Sequence, residues 1–224
     1  MDNAYQGYEM IYDIVILTTA IDRPELHSKV FDRYKNYIGE VKCKWIITVN
    51  NITDRVSETE EQLRFLLQDY DLQIQTFTTG GSRIDWYNSV KYCINQANTI
   101  VPKFGYLWLE DDWMCDTGHL KDDIKLLSEE NCHISLANRN EVSFNPGLWD
   151  IYSFNHLMFH SINNPEDSLG MRYVDGINTN PERICCPFPE ATKFVKSFKS
   201  VNRFYDIGRE WQQQTINTRT FNIN

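Results

Sequence analysis

Three consecutive carboxylates follow an apolar run at Tyr106 to Trp113, which reads YLWLEDDW. Glu110, Asp111 and Asp112 stand at the end of a segment whose residue types fit a buried strand. Like charges packed at such a place repel one another, and a cation beside them offsets the cost. A hard divalent ion, Mn²⁺ or Mg²⁺, suits carboxylate oxygens and leaves positions for the oxygens of a substrate diphosphate. The plainer reading is a solvated acidic turn, or a cap for a helix beginning after Asp116.

Two later segments carry further chemistry. Asn164 to Arg172 reads NPEDSLGMR. Asn164 can cap a helix with Pro165 at its first position, and Glu166 and Asp167 then oppose the helix dipole from the first turn. Tyr205 to Trp211, YDIGREW, holds Asp206, Gly208, Arg209 and Trp211. A Gly beside an Arg lets backbone and a bidentate guanidinium approach a diphosphate. The same residues also suit the start of an amphipathic helix with a surface Arg. His156 and His160 stand four apart in an aromatic stretch. No motif beside them supports a metal pair, so packing or acceptor contact is the preferred reading.

The elements that must position these residues follow from hydrophobic pattern. Tyr12 to Thr19 (YDIVILTT) and Lys44 to Asn50 (KWIITVN) are short β-branched runs of the kind buried on both faces. Leu72 to Thr78 alternates like a strand, Phe104 to Leu109 forms a fourth, and a further one runs over His133 to Ala137. Helices are expected from Pro24 to Tyr37, with Pro in the first turn, and over Ser57 to Tyr70, where Ser57 and Glu60 form a capping box. Ser82 can cap a third helix running to Ala97, and a fourth is expected from Gly118 to Glu129. Alternating strands and helices predict an α/β protein with a mainly parallel central sheet flanked by helices. Ligands bind beyond the carboxyl ends of such strands. That edge is made by Thr18 and Thr19, by Asn50 and Asn51, by Thr78 to Gly81, and by Glu110 to Asp112. After Ala137 the pattern turns irregular and Pro-rich, as expected of loops and short elements laid over the binding edge.

At the acidic strand end the chain resembles glycosyltransferases of the GT-A fold, a Rossmann-like architecture. In that family an apolar strand ends in a D-x-D motif that holds the metal and meets the ribose and phosphates of a nucleotide sugar. The matching variant is Glu110-Asp111-Asp112, with Glu in place of the first acid. The resemblance implies Mn²⁺ or Mg²⁺ on Asp112 and Glu110, with Asp111 beside the donor. It implies a nucleotide pocket at Thr18, Thr19 and Arg23 after the first strand, Asn50 and Asn51 after the second, and Gly80, Gly81 and Arg83 after the third. The family often sets its Arg and Asn side by side, whereas Arg83 and Asn88 stand five apart. Arg209 would bind the diphosphate. Glu166-Asp167 resembles the acceptor-facing Glu-Asp pair of inverting members, which makes Asp167 the general base, with Glu166 and Asp175 in reserve. The implied activity is transfer of a hexose or pentose from a nucleotide-diphosphate sugar, a UDP-sugar first, to a carbohydrate hydroxyl. The resemblance is carried by residues 12–140 of a single domain spanning 1–224, with 141–224 on the acceptor side.

Rival readings remain on this pattern. A sugar nucleotidyltransferase shares the fold but opens with a Gly-rich basic loop, and residues 18–27 lack the glycines. A non-catalytic carbohydrate-binding or interaction module could keep the fold without turnover. Glycosylation of modified bases in viral DNA is a third. The net charge of −9 argues against a nucleic-acid partner and suits an acidic cleft that binds cations. Among the 224 residues are 12 Tyr, 12 Phe and 6 Trp, ample for a core and for stacking on sugar rings and bases. Six scattered cysteines without a C-x-x-C pair read as reduced thiols in a cytoplasmic compartment, the host's for a viral or phage-like member. No signal peptide is expected, and no run approaches the ~18 apolar residues of a membrane span. Asn51-Ile52-Thr53 matches a glycosylation acceptor by chance under that reading.

Overall fold

The computed structural model describes residues 11–78, 83–127, 131–137, 146–155 and 198–207. Four parallel strands form its centre: β1 (Ile14–Ile21), β2 (Cys43–Asn50), β3 (Asp71–Phe77) and β4 (Gly105–Glu110). Helices α1 (Pro24–Ile38), α2 (Val56–Leu66) and α3 (Arg83–Ala97) join them in βαβ fashion. Beyond β4 come β5 (Trp113–Cys115), the short α4 (Leu120–Ile124), β6 (His133–Ser135), β7 (Gly147–Trp149), β8 (Phe198–Ser200) and β9 (Phe204–Asp206). Seven strands make one sheet in the order β3-β2-β1-β4-β7-β6-β8, while β5 and β9 pair separately. Strand β7 runs antiparallel to both β4 and β6, and β8 lies parallel to β6. The expected mainly parallel α/β sheet is therefore the one observed.

The continuous apolar runs exist because the central strands are covered on both faces. Along β1, Ile14 and Ile16 enter a cluster with Val30, Phe31 and Tyr34 of α1, Leu63 of α2 and Leu120 of α4. Val15 and Leu17 point the other way, into a cluster with Val90, Cys93 and Ile94 of α3 and Phe154. Gly105 opens β4 at φ +154°, and a Cβ there would lie 2.0 Å from the Trp149 carbonyl oxygen. Only glycine lets β7 pass that close. Cys43, Cys93, Cys115 and Cys132 are buried free thiols. No helix among the described residues is long and apolar enough to cross a membrane.

Three local expectations change. The Ser57–Glu60 capping box does not form: α2 begins at Val56 behind Arg55, with no side-chain cap bond, and Glu60 pairs with Arg64. A distant carboxylate, Asp22, takes the amides ahead of the helix instead. The helix expected over Gly118 to Glu129 is only Leu120–Ile124. It tightens at once into i→i+3 bonds, Leu126 N–H to Asp123 O and Leu127 N–H to Ile124 O. Asp123 is buried there, held by Arg203 at 3.0 Å and by the Tyr37 hydroxyl at 2.9 Å. The short elements expected after Ala137 join the sheets instead of only lying over the binding edge, since β7 and β8 extend the main sheet and β9 pairs with β5.

His133 gives the fold a pH signature. It is buried against Trp149, with ring centroids 3.9 Å apart, and its Nδ1–H donates to the Leu148 carbonyl at 2.9 Å. Burial pushes its pKa down to about 3. An unfolded histidine titrates near ~6.5. This contribution to stability is complete above that value and is lost as pH falls from there toward 3, at up to about 1.4 kcal/mol per pH unit. His133→Phe keeps a ring against Trp149 and should flatten the slope. Urea unfolding at pH 7 and 5.5 should cost the parent about 1 kcal/mol more than the variant, and parallel losses would remove His133 as the cause.

Candidate functional site

The carboxyl ends of β1, β2 and β4 converge at one edge of the sheet. Register brings Thr19 opposite Glu110 and Ile21 opposite Asn50. Glu110 is the last residue of β4, Asp111 and Asp112 make the turn, and β5 starts at Trp113. The acidic triplet is therefore a strand end that turns directly into another strand, not a helix cap.

Asp111 is the anchor of this turn. Its Oδ2 accepts from the Ile21 amide at 3.0 Å, from Arg23 Nε at 2.9 Å and from His27 Nε2 at 2.9 Å. Its Oδ1 accepts from Arg23 Nη2 at 2.6 Å. Burial on its own would raise this carboxyl's pKa. The Arg23 charge, with hydrogen bonds from His27 and Arg23, outweighs that and holds it well below the usual range. With Asp111 ionised and accepting, His27 Nε2 must be the donor. Arg23 and His27 occupy the start of α1 four residues apart, which places both on one helix face. That spacing was the sequence signal for a shared carboxylate, and His27 was missed.

Arg23 Nη2 also lies 3.8 Å from Asp112 Oδ2. The backbone of the turn is fixed as well. Asp111 N–H donates to the Thr19 carbonyl at 3.3 Å, and Ile207 N–H, just past β9, donates to the Asp112 carbonyl at 2.8 Å. The Tyr34 hydroxyl reaches the Glu110 and Trp113 carbonyls from α1. Burial, with Asp111 and Glu110 adding, raises the Tyr34 pKa and keeps it a donor. Trp113 Nε1–H donates to the Glu110 carboxylate at 3.1 Å.

Asp22 organises the neighbouring loop. It is fully buried and accepts from the amides of Ile52 at 2.7 Å, Thr53 at 2.9 Å and Arg55 at 2.8 Å. The Thr53 hydroxyl donates to the Asp22 carbonyl. Thus the β1–α1 loop holds the β2–α2 loop. Asn51 folds onto Asp54, accepting from its amide at 2.9 Å, and its own amide group reaches the Thr78 carbonyl at 3.3 Å.

The other expected nucleotide residues divide. Asn50 sits at the edge but buried, its oxygen accepting from Ser89 of α3 at 2.8 Å. Thr18 belongs to the core: its hydroxyl accepts from Trp45 Nε1 at 2.9 Å and is fully buried. Arg83 opens α3. Gly80, Gly81, Glu166, Asp167, Asp175 and Arg209 lie outside the described residues, as do Ser82, His156 and His160. The structure thus brings together Thr19, Arg23, Asn50, Asn51, Glu110, Asp111 and Asp112.

Hard oxygen donors at Glu110 and Asp112 have the chemistry for Mn²⁺ or Mg²⁺. Among the described residues no three His, Cys, Asp or Glu converge as a complete metal cage. One or two carboxylates completed by substrate phosphates is the arrangement these ions take with nucleotides, and the residues present fit it. Asp111 does not belong to such a shell, because its oxygens already serve Ile21, Arg23 and His27.

No family model matches the chain, and no curated protein does either. Solved structures do. The chain is similar to TarS of S. aureus at 7% identity, with a TM-score of 0.51 over 87% of this chain and 36% of that one. The fold is of the GT-A type. Two further GT-A similarities have TM-scores of 0.48. One is the glycosyltransferase GlyE of Streptococcus pneumoniae, at 16% identity over 84% of this chain and 45% of that one. The other is the mannosyltransferase PcManGT of Pyrobaculum calidifontis in complex with GDP-Man and Mn²⁺, at 10% identity over 65% and 46%. The chain spans less than half the length of each of these proteins.

The Asp22 clamp is open to direct test. Asp22→Ala removes the acceptor from three loop amides. It should cost about 2–4 kcal/mol in urea unfolding, because those donors are left to find water or remain unpaired. A loss below about 0.5 kcal/mol, the size of an ordinary surface change, would show the loop holding itself.

Proposed function

We propose that this chain is a metal-dependent glycosyltransferase acting on a nucleotide-diphosphate sugar, a UDP-sugar first, with a carbohydrate hydroxyl as acceptor. The observation that carries the proposal is the placement of Glu110-Asp111-Asp112 at the carboxyl end of β4, beside the ends of β1 and β2. That is where ligands bind in open parallel sheets, and the fold is one on which sugar-nucleotide chemistry is familiar. Asp112 and Glu110 would hold Mn²⁺ or Mg²⁺. A bound divalent ion would offset the negative charge that builds on the leaving diphosphate. Asn50, Asn51 and the Asp22-clamped loop would border the nucleoside, and Arg209 would pair with the diphosphate. Asp167 would accept the proton of the acceptor hydroxyl, which attacks the anomeric carbon with inversion; Glu166 and Asp175 are the other candidates.

The structure favours transfer over nucleotidyl chemistry on one point. A nucleotidyltransferase needs a Gly-rich loop after the first strand to wrap phosphates. In this chain that loop is Asp22-Arg23, both side chains buried and bound to protein partners.

A thermal-shift panel of nucleotides and nucleotide sugars, with and without Mn²⁺, tests donor binding, since a ligand that binds only the native state raises its stability. UDP or a UDP-sugar should raise the melting temperature only when Mn²⁺ is present. Asp112→Asn should abolish that metal-dependent rise while leaving the unliganded melting temperature near the parent's. Equal metal-dependent shifts in mutant and parent would remove Asp112 from the shell.

The base assignment has its own test. Asp167→Asn should lower turnover by roughly 10²–10⁴-fold with donor affinity unchanged. Retained turnover with stability lowered by about 0.3–1 kcal/mol would make Asp167 a helix-dipole residue and shift attention to Glu166 or Asp175.

A further inference from the structure

Resting on the placement of the ion at Asp112, we infer that Asp111 is a positioning residue that limits the Arg23 guanidinium to a 3.8 Å ion pair with Asp112, so that a divalent cation can compete for the Asp112 carboxylate. Arg23 is the cation built into this strand end. Its fork is spent on Asp111, with Nε at 2.9 Å from one oxygen and Nη2 at 2.6 Å from the other. The same Nη2 stands 3.8 Å from Asp112, past hydrogen-bond length but within reach of a small side-chain shift. His27 and the Ile21 amide hold Asp111 in turn.

Charge and burial give the arrangement its consequence. The Arg23 side chain is 3% exposed, and a buried guanidinium requires a carboxylate. While Asp111 is ionised, Arg23 has the bidentate partner that its geometry prefers. If Asp111 is replaced by a neutral side chain, Asp112, already 3.8 Å away, stands next to the same guanidinium as a replacement. The carboxylate assigned to the ion is then taken by an internal cation that competes with it. Asp111 therefore governs metal affinity without touching the metal.

The test is a double-mutant cycle read by calorimetry of Mn²⁺ into protein saturated with UDP, with melting temperature and circular dichroism recorded for each protein. Asp111→Asn should weaken Mn²⁺ binding by about 10–100-fold, the usual effect of residues that orient metal ligands. Adding Arg23→Gln to Asp111→Asn removes the competitor and should restore affinity to within about threefold of the parent. A residue that only stiffens the turn predicts the reverse, a further loss in the double variant. Should Asp111→Asn not fold, Arg23→Gln alone decides. The inference expects Mn²⁺ affinity equal to or above the parent's, and a loss overturns it. Parent-like Mn²⁺ binding by folded Asp111→Asn overturns it too. Failure of the parent itself to bind Mn²⁺ in the presence of UDP sinks the metal placement first and the inference with it.

Discussion

One buried carboxylate ties the carboxyl edge of the central sheet together. Asp111 accepts hydrogen bonds from the last residue of β1 and from two side chains at the start of α1, while standing in the turn that closes β4. Those elements approach one another only because the parallel register of β1 and β4 sets Thr19 against Glu110. A buried charge of this kind is costly to desolvate and must be matched in place. The match comes from the Arg23 guanidinium, which meets both oxygens of the carboxylate. The geometry of the acidic turn is thus set by an ion pair whose members lie 88 residues apart in the chain.

The electrostatics of the turn also change once Arg23 is counted. Three carboxylates less one guanidinium leave a formal charge of −2 before His27 is counted. The repulsion that three acids imply in the sequence is therefore partly met from within, and the residue is the charge of one divalent ion.

The central sheet was legible because its strands are short, β-branched and bounded by helical segments of conventional length. β1 to β4 fall within two residues of the runs that announce them. Glu110-Asp111-Asp112 was legible as a strand end for the same reason. What the sequence did not announce is the use of charge across distance. Asp22 reads as a loop residue, yet its carboxylate replaces the Ser57–Glu60 cap by reaching the amides of Ile52, Thr53 and Arg55. His27 reads as an ordinary helical histidine until Asp111 is folded against it. Thr18, expected at the edge, faces Trp45 in the core, since a shift of one residue along a strand exchanges one face for the other. Each of these is a contact between distant segments, which local pattern cannot carry.

The pairing of Asp123 with Arg203 bears on how the polypeptide is made. Asp123 is buried beneath Tyr37 and Arg203, and β8, three residues before Arg203, pairs in parallel with β6. The four central strands are complete once residue 110 has emerged, and they join through local βα units. The guanidinium that neutralises Asp123 is added eighty residues after it. The four central strands and Asp123 therefore precede the segment that carries its cation, and β8 can pair with β6 only once residues 198–203 have emerged. Without residues 198–207 a charge would be left inside the body of the protein with an open strand edge beside it, the two features that quality-control proteases and aggregation exploit.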